Sequence, residues 1–289
     1  MKASVKRRIK ELLPLRLVVF LSGVRWWRFV ERAHAQSGMR DVCTRLMSLY
    51  GATVLCGPFK GLKLTTEGLL TACNSAGLLG TYEKELHPWI QELRPGKFDR
   101  ILDIGAAEGY YAVGLALRTG ARVDAYDPAP RALRLCRSMA KLNGVSSLVR
   151  THSFCSQRTL LGLSGQRCFI LSDCEGFETS LFTDEVVRAL RNCDLIVELH
   201  DGPARPGTAR RILEARFAAT HRVDLVKFKP RHLGDFPQLA CLEQLGADAQ
   251  RAISEEGRWD QEWLIATPLG APAAAGRSLK DRMPQFSPV

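Results

Sequence analysis

From residue 100 onward the chain alternates short apolar runs with longer amphipathic stretches. Ile101-Leu102-Asp103-Ile104 reads as a buried strand, and residues 108–119 as a helix closed by Gly120. Val123-Asp124-Ala125-Tyr126 is the next strand. The helix that Pro130 opens has apolar positions at Ala132, Leu133, Leu135, Cys136, Met139 and Ala140, and Asn143-Gly144 ends it. Further strands fall near residues 148–151, 169–172, 195–199, 223–228 and 263–267, with a helix over 206–218. Strand, helix, strand at this spacing requires parallel crossovers, which predicts an α/β fold with a doubly wound, mostly parallel seven-stranded sheet.

The segments before and after this series follow other rules. Residues 1–50 mix basic positions with Leu, Val, Phe and Trp and read as a basic amphipathic helical arm. Within 51–98, residues 53–70 resemble a small hairpin about Gly57-Pro58 and Lys60-Gly61, and 83–93 a lead-in helix stopped by Pro95-Gly96. Residues 99–267 form the main domain. Residues 268–289, rich in Pro, Ala, Gly and Ser, lack periodicity and are expected to be a disordered tail.

Composition narrows the class. With 289 residues, 46% of them hydrophobic and 25% charged, the chain can bury a core without disulfides, and no apolar run is long enough to span a bilayer. The net charge of +11 would suggest nucleic acid, but ten basic and two acidic residues lie within positions 1–40, so most of the excess belongs to the arm. Two readings of the arm stand side by side: contact with an anionic membrane surface, or packing on the domain with a solvated basic face. Nine cysteines without a Cys-x-x-Cys pair predict reduced thiols and no zinc site. Arg16, Arg25 and Arg28 spoil a secretory signal, so a cytoplasmic location is expected, peripheral to the inner face of a membrane if the arm binds lipid.

The segment from Ile101 to Tyr111 carries the chemistry: a strand, the turn Gly105-Ala106-Ala107-Glu108-Gly109, then a helix. A glycine at 105 permits a tight turn close to a ligand, and a helix N-terminus offers amide donors. The dinucleotide fingerprint fails at Ala107 and Tyr110, and no Gly-Lys-Ser/Thr phosphate loop is present. Asp103 would repel a pyrophosphate and suit an ammonium or sulfonium ligand. Asp127, ending the second strand, is placed to accept both hydroxyls of a ribose.

These residues resemble class I S-adenosylmethionine-dependent methyltransferases, with the closer resemblance to the FkbM-type family. Carrying it are Gly57-Pro58-Phe59-Lys60-Gly61-Leu62, Gly80-Thr81-Tyr82-Glu83, residues 103–109, Tyr126-Asp127-Pro128, Asp173-Cys174-Glu175-Gly176-Phe177-Glu178 and Val197-Glu198-Leu199-His200, in the family's order. The resemblance implies S-adenosylmethionine as cofactor. Gly105, Ala106 and Gly109 would pass close to its methionine part, with Glu83 also on the cofactor side and Asp103 and Glu108 near the ammonium. Asp127 would hold the ribose, and Ser153 and Phe154 would lie near the adenine. Asp173 would sit near the reacting methyl.

In-line methyl transfer needs alignment and, for a hydroxyl acceptor, a base. Asp173, Glu175 and His200 are the catalytic candidates, with Glu198 and Asp201 close in sequence; His200 is the natural base by its unperturbed pKa, or else a structural group. A divalent ion on these carboxylates is a less favoured alternative and no metal ligand is assigned. The resemblance implies O-methylation of a sugar or small natural product. RNA methylation aided by the arm, and a catalytically idle cofactor-binding scaffold at a membrane, are the alternatives; a net charge of only +3 outside residues 1–40 makes nucleic acid the poorer partner.

Overall fold

A computed structural model describes residues 38–72, 74–201, 206–254 and 261–270. All seven expected strands form: β1 (Arg100–Ile104), β2 (Arg122–Tyr126), β3 (Val149–His152), β4 (Cys168–Ser172), β5 (Asp194–Glu198), β6 (His221–Lys227) and β7 (Glu262–Pro268). They make one sheet in the order β3-β2-β1-β4-β5-β7-β6. β1 to β5 are parallel, and β7 runs antiparallel between β5 and β6. The chain reverses after β6 without a crossover helix, which is what an antiparallel partner permits.

The helices are α1 (Met39–Tyr50), α2 (Thr66–Ala72), α3 (Ser75–Leu79), α4 (His87–Gln91), α5 (Tyr110–Thr119), α6 (Pro130–Leu142), α7 (Gln157–Leu161), α8 (Glu178–Leu181), α9 (Asp184–Ala189), α10 (Thr208–Phe217) and α11 (Ala247–Ile253). Side-chain alternation along the strands divides the core. Ile101, Val123, Ala125, Phe169, Leu171 and Ile196 face α5 and α6, while Leu102, Ile104, Tyr126, Ile170, Leu195 and Val197 face α7 to α10. Successive residues of parallel strands are buried on both sides, which explains their unbroken apolar runs.

Two expectations change. The hairpin over 53–70 shrinks to a single antiparallel bridge between Thr53 and Lys63, because 66–72 folds as α2 instead. The lead-in helix over 83–93 divides into a 3-10 turn, Lys84–Leu86, and α4, where Pro88 occupies the first turn and can donate no amide to a preceding one. The basic arm lies outside the described residues except for α1, and so does nearly all of the expected tail. Among the described residues no helix is long and apolar enough to cross a membrane.

The described part of the N-terminal extension shares the core of the sheet. Met39, Val42, Cys43 and Leu46 of α1, together with Leu62, Leu78, Leu79 and Ile90, belong to the same buried cluster as Ile101, Val113 and Phe169. A segment between β6 and β7 closes this side. Its Arg231 forms a buried ion pair with Glu85 at 2.7 Å and donates to the Thr81 carbonyl, and the Lys229 amide donates to Glu85. Glu83 is thereby held over the carboxyl ends of the strands.

Candidate functional site

The strand order reverses direction about β1: its helix-linked successor β2 lies on one side and β4 on the other. A crevice at such a switch point, outside the carboxyl ends of the strands, is where open α/β sheets bind ligands. The residues that border it here are Asp103, Gly105 and Asp173.

Gly105 has φ 91°, and a Cβ built on it would lie 1.7 Å from the Asp173 carbonyl oxygen. The sequence-based expectation was ligand approach; the structure shows that the missing side chain lets the β4 exit pass against the β1 turn. Gly109, at φ 96°, similarly admits Cys136 of α6, whose Sγ would be 2.7 Å from a Cβ. Glycine at both positions sets the shape of the turn.

Four amides of this turn are occupied. Those of Gly105 and Ala106 donate to the Tyr126 carbonyl at 2.8 and 3.0 Å, that of Gly109 to Ala106, and that of Ala107 to Asp127 Oδ2 at 3.0 Å. A phosphate cradle needs free amides at this place. The turn is a rigid wall fastened to β2, with acidic side chains around it.

Asp127 is 7% exposed, and its other oxygen accepts from Ala129 N at 2.7 Å. Burial raises its pKa to about 6, against the two amides that favour the charged form. Each oxygen keeps a further lone pair for a hydroxyl donor. Asp103 contrasts with it: both oxygens are buried, and among the described residues the Ala112 amide is the donor that bears on them, without a hydrogen bond of good geometry. Burial, reinforced by the charges of Asp173, Asp127 and Glu83, lifts its pKa to about 8 against the pull of the Ala112 amide, so the acid is mostly neutral at pH 7. Glu108, 8% exposed, bears on Asp127, whereas Asp103 responds to Glu83; this regroups the expected ammonium pair of Asp103 and Glu108. Glu83, Ala107 and Glu175 are the non-glycine residues with positive φ among those described, and all three border the crevice. Such conformations cost about 1–3 kcal/mol each and concentrate where a site holds them.

At the adjoining end of β4 and β5, His200 sits among acids. Its Nδ1 is 2.7 Å from Glu178 Oε1, and its Nε2 lies 3.6 Å from Asp173, 3.7 Å from Glu175 and 3.6 Å from Glu198. Burial disfavours the imidazolium, but the Glu178 hydrogen bond and the charges of Asp173 and Glu198 outweigh it and push the pKa up to about 10. A charged ring has no lone pair, so in this cluster His200 is not the proton acceptor at neutral pH. Ligand atoms of Asp173, Glu175 and His200 lie within 4.8 Å of one another, a set that could hold a divalent ion.

Other expected residues are placed as follows. Phe154 is half-buried with its ring 5.9 Å from that of Phe177, and Ser153 beside it is exposed. Cys174, two residues past β4, packs partly buried against the cluster that faces α7 to α10. Asp201 takes a structural part: its oxygens accept from Gly207 N at 2.6 Å and Ala209 N at 2.7 Å at the start of α10. Glu178 opens α8, and its contact with His200 joins it to the cluster.

No family model matches the chain, and no curated protein sequence matches it. Among solved structures, a geranyl diphosphate C-methyltransferase from Streptomyces coelicolor A3(2), bound to Mg2+, a substrate analogue and S-adenosyl-L-homocysteine, is 12% identical with TM-score 0.44, covering 83% of this chain and 97% of that one. A precorrin 8w decarboxylase from Methanobacterium thermoautotrophicum is 18% identical with TM-score 0.38, covering 60% and 83%. A geranyl diphosphate methyltransferase bound to sinefungin is 13% identical with TM-score 0.37, covering 59% and 71%. At these identities and TM-scores the likeness is one of layered architecture only.

Proposed function

We propose that the chain is an S-adenosylmethionine-dependent methyltransferase of FkbM type that methylates a hydroxyl oxygen of a sugar or small natural product. The observation that carries the cofactor is the crevice wall: a turn with four of its amides already used, flanked by the buried Asp103 and the amide-bound Asp127. Such a wall disfavours a phosphate and favours a cationic ligand with a free ribose. Asp127 would accept the ribose hydroxyls, Asp103 and Glu83 would face the ammonium, and Gly105, Ala106 and Gly109 would line the methionine part. Ser153 and Phe154 would border the adenine.

The bound cofactor supplies a methyl group already activated on a sulfonium. The acceptor hydroxyl would lie between Asp173 and His200, and the Asp173 carboxylate would take its proton as the oxygen accepts the methyl group and the sulfur leaves as a neutral thioether. His200, held by Glu178, steadies the developing negative charge on the oxygen. The same carboxylates repel a nucleic-acid phosphate, which favours a small neutral acceptor over RNA.

Titration calorimetry with S-adenosylmethionine, followed by transfer of a labelled methyl group to a panel of sugars and polyols, tests this reading. Micromolar binding and label in a hydroxyl ether are expected. No binding at millimolar cofactor would overturn it, and binding without transfer to any acceptor class would leave a cofactor-binding scaffold in its place.

A further inference from the structure

Tyr111 sits in the first turn of α5, directly after the crevice wall, and its hydroxyl donates to Glu83 Oε2 at 2.5 Å. Three rings surround it: Phe59 at 5.7 Å, Tyr110 at 5.6 Å and Tyr82 at 6.1 Å between centroids. The ring therefore has a fixed direction. Glu83 is 3% exposed, holds a left-handed backbone at φ 44°, and lies close enough to Asp103 for its charge to raise the pKa there. Burial and the Glu83 charge keep the Tyr111 hydroxyl protonated, so it remains a donor.

A buried carboxylate of this kind is costly unless it has a donor and, in use, a cation. The segment that carries Glu83 is itself anchored from behind by the Glu85–Arg231 pair, so backbone and side chain are fixed from two directions. Ribose recognition is already provided one strand away at Asp127. The Glu83–Asp103 side is left for the opposite, amino-acid end of the ligand.

Resting on the cofactor proposed above, we infer that Tyr111 is a positioning residue for that end: it holds the Glu83 carboxylate in one orientation so that this acid meets the ammonium group. The pair makes the crevice selective for nucleosides bearing an amino-acid tail over those without one. Tyr111 touches the ligand only through Glu83, whose carboxylate it aligns.

The test compares two ligands by calorimetry, S-adenosylhomocysteine and 5′-methylthioadenosine, which share the nucleoside and thioether and differ in the amino-acid tail. Tyr111→Phe, which keeps the ring packing, is expected to weaken S-adenosylhomocysteine about tenfold and methylthioadenosine less than about twofold, with the melting temperature of the free protein lowered by a few degrees because Glu83 loses its donor. Glu83→Gln should show the same selectivity with a larger loss. Equal losses for both ligands, or none, would overturn the inference, because a merely structural hydroxyl has no reason to discriminate between them. If neither ligand binds the wild-type protein, the cofactor reading fails and the pair's role fails with it.

Discussion

The two halves of the crevice use acids in opposite ways. Over β1 and β2, Asp103 is buried beyond what the Ala112 amide offsets and holds its proton, while Asp127 is divided between two backbone amides. Over β4 and β5, the acids surround His200 and keep it charged. The first half meets backbone amides, and the second carries a cation of its own. A carboxyl group at a strand end thus takes its charge state from the donor that the neighbouring strand or helix supplies, and the same residue type serves two purposes within one cleft.

Removing the internal cation should have the largest effect. His200→Gln leaves Glu178, 1% exposed, without its charged partner and should cost about 2–4 kcal/mol of stability at pH 6. The folded-state pKa lies above the ordinary histidine value, so the stabilisation is complete below about pH 6.5 and is lost as pH rises through about 10. Denaturant unfolding of both proteins from pH 6 to 10 should therefore converge at the alkaline end. A constant gap would mean that packing, not charge, holds the half together.

Next comes the fastening of the other half. Asp127→Ala removes the acceptor for the Ala107 and Ala129 amides and, with it, the proposed ribose contact. The affinity for S-adenosylmethionine should fall by about 1–3 kcal/mol, read by calorimetry. An unchanged affinity would take the ribose away from Asp127 and undo the contrast between the halves.

How far this division can be read from the amino-acid order depends on distance along the chain. Asp103 interrupts the last residues of one apolar run and Asp127 follows another, so strand periodicity alone places both at the carboxyl ends of their strands. The seven strands were legible for the same reason, with ends displaced by a residue or two. His200–Glu178 and Tyr111–Glu83 join positions 22 and 28 residues apart, and Arg231–Glu85 joins positions 146 apart. No local periodicity records such contacts; they appear only when the strands are stacked. The partners of the turn amides were hidden for a related reason, since they include the Tyr126 carbonyl and the Asp127 carboxylate of the next strand. Asp201 looked catalytic by nearness to His200 in sequence, yet its oxygens cap α10.

The smallest effect isolates Asp103, the point on which the contrast turns. Its folded-state pKa of about 8 stands above the ordinary carboxyl value, so the native protein holds a proton that the unfolded chain releases, and stability falls as pH rises from about 4 to 8. Asp103→Asn has no proton to lose. It should match the wild type near pH 4 and exceed it at pH 8, read as a melting temperature that no longer falls across this window. Cofactor binding supplies the complementary measurement, because an ammonium beside Asp103 favours the ionised acid. Binding to the wild type at pH 7 should release up to about one proton, visible as a binding enthalpy that changes with the ionisation heat of the buffer. The Asn variant should bind more weakly and show less of this dependence. Equal buffer dependence in the two proteins would mean that Asp103 keeps its proton throughout, and that the first half of the crevice meets its cation elsewhere.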